Sequence, residues 1–480
     1  MPYSIPHLVE NVIPKLEKIR KEFLQSPECW ESFIGQIHDV VLEFGRDFVS
    51  DTLDLCNVML EDSIKRREHW QIKDRCQKSV LTSLGMVSFQ HTRFIHKGTP
   101  KSTYLLDQIL GLPPHARLSK DAKARILKEV VQSSYQKAGT CLPETVSKET
   151  VMRIVHSLPL SKLPETGPEE KRSVETLYVE ADEDHIALQF HEKKGDVKRW
   201  KGHGDNGPIV KLVYVHEGIE ARGKRKQLKN SHFFGGIYSG KDNEALWREV
   251  RDYIRRTYDM EQVRQIRFQS DGGGWMKKGL EVTGGRFVLD GFHLRKYVRR
   301  LCRVTEEEEK EEELWDRIKK NQRKQAEEWV EEKMKGLDDR KRRKAEEAWR
   351  YLKRNWKGIR ARLEEEEGNI GSSTEGHVSQ VLSARMSSRP MGWSRRGADQ
   401  LARLRIYWKN GGKMEELLKE RKEDEGRLEE EPRCFSAQEL LNWEKRSRKR
   451  NGKYIEALQA RVGSQIGAKV YFQAAISGIC

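Results

Sequence analysis

Cysteine is scarce in this chain: seven among 480 residues, at 29, 56, 76, 141, 302, 434 and 480, odd in number and never spaced as CxxC. That spacing argues against a disulfide framework or a zinc knuckle and fits a reducing compartment. Long apolar runs are missing too, with no stretch of eighteen apolar residues, so no membrane-spanning helix is expected. The first residues, MPYSIPHLVENVIPKLEK, show no hydrophobic block ahead of a small-residue cleavage site, and the expectation is a soluble protein that is not secreted. Hydrophobic residues are 36% of the chain and charged residues 35%. The apolar ones nevertheless return in periodic clusters, which argues against wholesale disorder.

What the chain has in plenty is positive charge. Lys and Arg number 91 against 75 Asp and Glu, a formal charge of +16. Such an excess is the electrostatic footprint of a polyanion partner, nucleic acid first among them. The length exceeds what one ordinary core organises, so several units are expected.

From His7 to about Trp70 apolar residues fall at helical spacing, as in Ile34, Ile37, Val41, Leu42 and Phe44, which predicts a helical N-terminal region over 1–70. SVLTSLGMVSFQHTRFI (79–95) is β-branched and aromatic on either side of Gly85, a hairpin within a region 71–100. Residues 119–158 return to helices. In the second of these Ser147 is the N-cap, and Val151, Ile154, Val155 and Leu158 face inward while Lys148, Glu149, Met152 and Arg153 face elsewhere. This is the layout of a helix-turn-helix DNA reader over 101–170, and also of an ordinary amphipathic helix pair. VETLYVEAD (174–182), HIALQF (185–190), GPIVKLVYVHEG (207–218) and FFGGIYSG (233–240) read as strands, followed by the helix NEALWREVRDYIRRTYD and the strands VRQIRFQSD (263–271) and GRFVLD (285–290). That order predicts an α/β (α+β overall) chain whose region 171–303 is the first part of an RNase H-like mixed sheet. Between 304 and 367 Glu, Lys and Arg dominate, punctuated by Leu314, Trp315, Trp329, Val330, Trp349, Leu352 and Trp356, a charged all-helical insertion. The catalytic domain would resume over 368–411, and a helical C-terminal region would fill 412–480.

Asp182 ends one apolar strand, and Asp271 ends another, directly before Gly272, Gly273 and Gly274. Two acids at the mouths of neighbouring strands point to one spot, and the glycines leave room for a phosphate. Hard carboxylate oxygens suit Mg²⁺, with Mn²⁺ as a substitute, and paired ions clamp the attacking and leaving oxygens of a phosphoryl displacement. About three carboxylates are then needed. Asp184 and Glu180 share the parity of Asp182 along the strand and are rivals for the first position. Asp290 and His293 stand three apart at a strand-to-helix junction, where the imidazole would orient a carboxylate, a water or a phosphate, or simply serve as a cap or core residue.

The set YVEAD, SDGGGW, LDGFH, a helical insertion and TEGHVSQVLSARMSSRPMGWSRRGADQLARLRIYWKNGG resembles the bacterial insertion-sequence DDE transposases related to the Mutator-like superfamily. The resemblance is strongest over 174–303 and 374–411. It implies an RNase H-like domain interrupted by a helical insertion, with Asp182 and Asp271 as the first two catalytic acids, Glu375 as the third, and Asp290 with His293 as an Asp-x-x-His element. Its partners would be double-stranded DNA at element ends and target DNA. The protein would act as a homo-oligomer, dimer or higher, in the bacterial cytoplasm in association with the nucleoid. Cleavage would leave a 3′-hydroxyl that then attacks target DNA.

The stretch 383–409 contains Arg385, Arg389, Arg395, Arg396, Arg403 and Arg405 against a single acid, Asp399. Its arginines suit phosphate contact. Trp393 would stack on an unpaired base or plug the core beside the Glu375 helix. A second cluster, with Arg295 and Arg299, follows His293, and Lys148 and Arg153 belong to the candidate reader helix. Two other readings of the same features are a catalytically inert DNA-binding regulator and another RNase H-like nuclease.

Overall fold

The computed structural model describes residues 8–162, 168, 170–189, 199, 200, 203, 204, 209–223, 225–364, 374–389 and 391–419. The C-terminal region expected to be helical lies outside these residues from 420 onward, as does the end of HIALQF. The chain divides into two compact units, one of Met1–Val130, Ser134–Val151 and Leu418–Cys480, the other of Val131–Ser133 and Met152–Leu417.

In the first unit the expected N-terminal helices are α1 (Ile13–Gln25), α2 (Trp30–Asp62) and α3 (Ile64–His69). They lead into β1 (Trp70–Thr82) and β2 (Gly85–His96), an antiparallel hairpin, with β3 (Ser102–Tyr104) on the far side of β2. The strands begin nine residues earlier than the apolar pattern of 79–95 suggested, because most of Gln71–Gln77 is exposed and carries no apolar alternation. Leu60, Trp70, Val80, Val87, Phe89, Phe94, Leu105 and Leu106 form the core here. Asn57 of α2 donates to Thr92 Oγ1 at 3.0 Å and accepts the Thr92 N–H at 2.9 Å, so helix and hairpin satisfy each other's buried polar groups. Further along come α4 (Lys120–Val130), the single turn Tyr135–Ala138 and α5 (Lys148–His156). Ser147 Oγ accepts the Thr150 N–H at 3.3 Å, as a cap should. Val151, Ile154, Val155 and Leu158 are buried, and Lys148, Glu149, Met152 and Arg153 are exposed.

The second unit is built on a mixed five-stranded sheet. Its strands are β4 (Thr176–His185), β5 (Ile209–His216), β6 (His232–Ile237), β7 (Gln265–Ser270) and β8 (Arg286–Leu289), in the spatial order β6-β5-β4-β7-β8. The first three pair antiparallel, whereas β7 runs parallel to both β4 and β8. The parallel joins need crossovers, supplied by α6 (Asp242–Thr257) before β7 and α7 (Gly274–Thr283) before β8. Leu177, Val179, Ala181, Val213, Val215, Leu246, Trp247, Val250, Phe268 and Met276 pack between sheet and helices. HIALQF does not form a strand of its own: β4 runs unbroken to His185, and Leu188 makes only an isolated bridge to Trp393. Two small hairpins, Arg199–Trp200 with His203–Gly204 and Ile219–Arg222 with Arg225–Leu228, had no apolar signal to reveal them.

After β8 the helix α8 (Gly291–Val304) leads into α9 (Glu311–Lys319), α10 (Arg323–Met334), α11 (Asp339–Arg354) and α12 (Trp356–Glu364). The apolar residues punctuating the charge run make a core: Leu314, Trp329, Val330, Trp349, Leu352 and Trp356 are buried with Leu294, Val298 and Leu301 of α8. The chain then returns to the sheet as α13 (Thr374–Val378) and α14 (Arg395–Lys409). Helix α14 lies close on β6, where Gly235 and Gly236 have φ of +159° and +146°. A Cβ at Gly236 would come within 2.7 Å of Asp399 Oδ1, and that same oxygen accepts the Ile237 N–H at 2.8 Å. Among the described residues no helix is long and apolar enough to cross a membrane.

Candidate active site

Register decides the geometry of the acids. In the parallel pair β4/β7, Ala181 faces Ser270, and in β7/β8, Ser270 faces Leu289. The next residue on each strand line is therefore Asp182, Asp271 and Asp290, three acids abreast one position past the last paired residues of the parallel ladders; β7 and β8 end here, while β4 runs on to His185. In-register residues of parallel strands point to the same side, so the first two acids share a face by construction.

Glu375 arrives from the far side of the insertion, exposed in the first turn of α13. Thr374 beside it is buried and donates from Oγ1 to Glu180 of β4 at 2.7 Å. Asp182 registers the result. Burial pushes its carboxyl up to about 7, the backbone N–H of Glu183 and the charge of His293 oppose that rise, and the charges of Asp271 and Glu375 reinforce it. Asp271 and Glu375 thus both lie within electrostatic reach of Asp182. Among the described residues no group of three or more His, Cys, Asp or Glu side chains is drawn in to the spacing of an ion's ligands.

Asp290 caps α8 by accepting the His293 N–H at 3.1 Å, and the same carboxylate oxygen lies 3.0 Å from His293 Nδ1. Burial works against the imidazolium, but the hydrogen bond and charge of Asp290, helped by Asp182 and Asp271, raise the His293 pKa above its ordinary value. His293 thus sits, partly buried, beside acids that favour its protonated form.

The rivals of Asp182 have other engagements. Asp184 accepts Ser387 Oγ at 3.0 and 2.8 Å. Glu180 is 1% exposed and is held by Tyr214 Oη at 2.7 Å and His216 Nε2 at 3.1 Å as well as by Thr374. Of the three same-parity acids, Asp182 is the one that feels both Asp271 and Glu375.

Two residues of the insertion escaped the sequence reading. Tyr351 Oη donates to the main-chain oxygen of Asp271 at 2.7 Å and its ring stacks on Tyr297 at 3.7 Å. Asn355, 1% exposed, lies against Gly272, where a Cβ would meet its Oδ1 at 2.4 Å. Gly272 also has φ of +79°, the left-handed region that favours glycine. The only signal was Tyr351 and Asn355 standing four apart in a helical charge run, which is weak. Tyr351→Phe deletes the hydroxyl and leaves the ring, so the expected loss is about 1 kcal/mol of stability. Denaturant melts check this, and an unchanged midpoint would remove Tyr351 from the support of the Asp271 loop.

The basic residues part company. Arg295, Arg299, Arg389 and Arg396 are exposed, as are Lys148 and Arg153. Arg299 lies 3.8 Å from Glu311, Arg396 donates to the His156 carbonyl at 2.7 Å, and Arg395 donates to Ser239 Oγ at 3.2 Å. Trp393 is 7% exposed with its indole N–H donated to the Met386 carbonyl at 2.9 Å, so of its two expected places it takes the core and turns no face to a base. Arg385 is buried as well, its guanidinium 5.1 Å from the Trp393 ring centre and donating to the Ser133 carbonyl at 2.8 Å. Arg385 thus leaves the phosphate-contact surface expected of it, because its guanidinium is spent on the fold. Arg405 follows suit by donating to the carbonyls of Val381, Gln380 and Val131.

A family described as "Uncharacterised protein family (UPF0236)" matches residues 29–423 of this chain. A UPF0236 protein of Caldanaerobacter subterraneus subsp. tengcongensis, whose name joins eleven locus designations, is 30% identical over 410 residues, covering 85% of this chain and 84% of the relative. Another from the same organism is 32% identical over 387 residues, or 80% of this chain and 79% of the relative. A UPF0236 protein in the vanSb 3′ region of Streptococcus gallolyticus is 24% identical over 399 residues, 79% of this chain and 83% of that protein.

Proposed function

We propose that this chain, which belongs to the UPF0236 family, is a metal-dependent DDE-type transposase of an insertion sequence, cutting DNA at element ends and joining the freed 3′ ends to target DNA. One observation carries the reading: Asp182 and Asp271 stand abreast, each one position past the last residues paired between adjacent parallel strands, and Asp182 is raised to about 7 in part by the charges of Asp271 and Glu375. The strand order β6-β5-β4-β7-β8, with one antiparallel half and one parallel half, supports an RNase H-like catalytic core. The helices α9–α12 between that sheet and Glu375 stand where the resemblance expects an insertion. The eleven locus designations in one relative's name are in keeping with an element copied within a genome.

The donor set fits divalent cations. Carboxylate oxygens are the hard ligands that Mg²⁺ takes, with Mn²⁺ as substitute, and positive charge would offset the mutual repulsion around Asp182. Asp182, Asp271 and Glu375 would hold the ions, which when bound supply Lewis-acid activation at the attacking and leaving oxygens. The chain's own groups do the rest. Asp290 fixes the His293 ring beside the acids, where it orients a water or the scissile phosphate. The Gly272–Gly274 turn lets the backbone approach that phosphate closely. Exposed Arg295, Arg299, Arg389 and Arg396 neutralise DNA phosphates, with Arg395 at their edge, while Lys148 and Arg153 contact the element end. A homo-oligomer on DNA goes with this activity.

The test is strand joining. Purified protein, a labelled end-containing duplex and supercoiled plasmid in Mg²⁺ or Mn²⁺ should yield label covalently joined to plasmid. Cleavage without joining would make the protein a plain nuclease, and a mobility shift without cutting would make it a DNA-binding regulator; either overturns the proposal.

A further inference from the structure

Helix α13 is five residues long and continues as a π-helical turn, Ser379–Ser383. A helix this short has little stability of its own, so the place of Glu375 depends on what grips its neighbours. Val378, Val381 and Leu382 are buried, Arg405 donates to the carbonyls of Gln380 and Val381, and the His377 ring lies 4.9 Å from that of Tyr214. All of these act downstream of Glu375. On its upstream side stands Thr374, 4% exposed, whose Oγ1 donates to Glu180 Oε2 across 194 positions of sequence.

Glu180 is built to receive that bond. Its partners Tyr214 and His216 both come from β5, the neighbouring strand, and Tyr214 is its cross-strand partner. These two bonds keep the carboxylate satisfied and rigid inside the sheet. The Thr374 bond is different in kind, because it leaves the sheet and ends one residue from the third acid. Glu180 also lies two residues before Asp182 on the same face of β4, so one strand carries both the first acid and the hold on the third.

We infer that Glu180, bonded to Thr374, is a positioning residue that sets Glu375 against Asp182 and Asp271. This rests on the proposed function above. It says that the spacing of the acids is imposed from beneath by a buried hydrogen bond, and that the hydroxyl of Thr374, not its bulk, is what matters. Hydrogen bonds behind a first ring of ligands typically govern metal affinity or activity by about ten- to a hundredfold.

The experiment uses the full chain and two substitutions, Thr374→Val, which keeps the shape and removes the hydroxyl, and Thr374→Ser, which keeps the hydroxyl. Mn²⁺ binding by titration calorimetry and amide hydrogen exchange across 374–383 are read beside DNA cleavage. Thr374→Val should bind Mn²⁺ about ten- to a hundredfold more weakly, exchange faster over 374–383 and cut correspondingly less. Thr374→Ser should stay within about threefold of wild type in all three. Wild-type exchange and Mn²⁺ affinity in Thr374→Val overturn the inference, and so does equal damage from both substitutions, which would mean that packing alone matters. A wild-type chain that takes up no Mn²⁺ instead overturns the metal reading itself, and the role of Glu180 with it.

Discussion

Asp271→Asn should lower DNA strand cleavage by roughly a thousandfold or more while leaving DNA binding within about threefold of wild type. The substitution is nearly isosteric, and the amide oxygen still accepts the Gly273 N–H that Asp271 Oδ1 takes at 2.8 Å. What it removes is one negative charge from the set that would hold the cations. Stability should change little, because the Asp271 charge both repels the Asp182 carboxylate and attracts the His293 imidazolium, and its loss removes the two together. Nicking of end-containing DNA in Mg²⁺, a mobility shift and a thermal melt cover the three expectations. A variant that cuts at the wild-type rate would remove Asp271 from the chemistry and, with it, the assignment of the three acids.

Trp247→Ala carries the largest expected effect on stability. Trp247 is fully buried on α6, stacked on Trp275 at 5.5 Å and tilted against Phe268 at 5.4 Å, with its indole N–H donated to the Trp275 carbonyl at 2.9 Å. Helix α7 comes so near that a Cβ on Gly279 would stand 2.3 Å from the ring. Truncation leaves a cavity and removes the hydrogen bond to the Trp275 carbonyl, a loss of about 3–5 kcal/mol. Domains are stable by only about 5–15 kcal/mol, so the transition of the unit carrying the sheet should move to markedly lower denaturant. A shift worth less than about 1 kcal/mol would mean that the helix layer is not packed as described. The ring also braces α7, which begins at the Gly272–Gly274 turn, so the variant should lose cleavage activity before it unfolds.

Much of the site was legible in the linear sequence. Asp182 and Asp271 stand at the ends of apolar strand patterns, and the structure puts them on adjacent parallel strands. Asp290 and His293 at a strand-to-helix junction proved to be a cap and its paired imidazole. The tryptophans in the charge run of 304–367 did gather into a core. Less was legible where the pattern was local but the outcome was not. Glu180, Asp182 and Asp184 share a parity, and parity is all that a single strand can express. Arg385 and Arg389 are four apart in one basic stretch, yet one is buried on Trp393 and the other exposed. Tyr351 and Asn355 touch the turn after Asp271 from about eighty residues away in sequence.

By itself, then, the sequence determined the order and kind of most of the elements and singled out Asp182 and Asp271 on the central strand lines, since hydrophobic period and turn chemistry act between near neighbours. It also determined a strongly basic surface, since net charge needs no fold to be counted. Only the tertiary structure decided which of the three same-parity acids of β4 feels Asp271 and Glu375, which arginines remain available to a phosphate, and what holds the Glu375 helix to the sheet. Those outcomes depend on strand register and on contacts between segments up to 274 residues apart, and no local pattern encodes them.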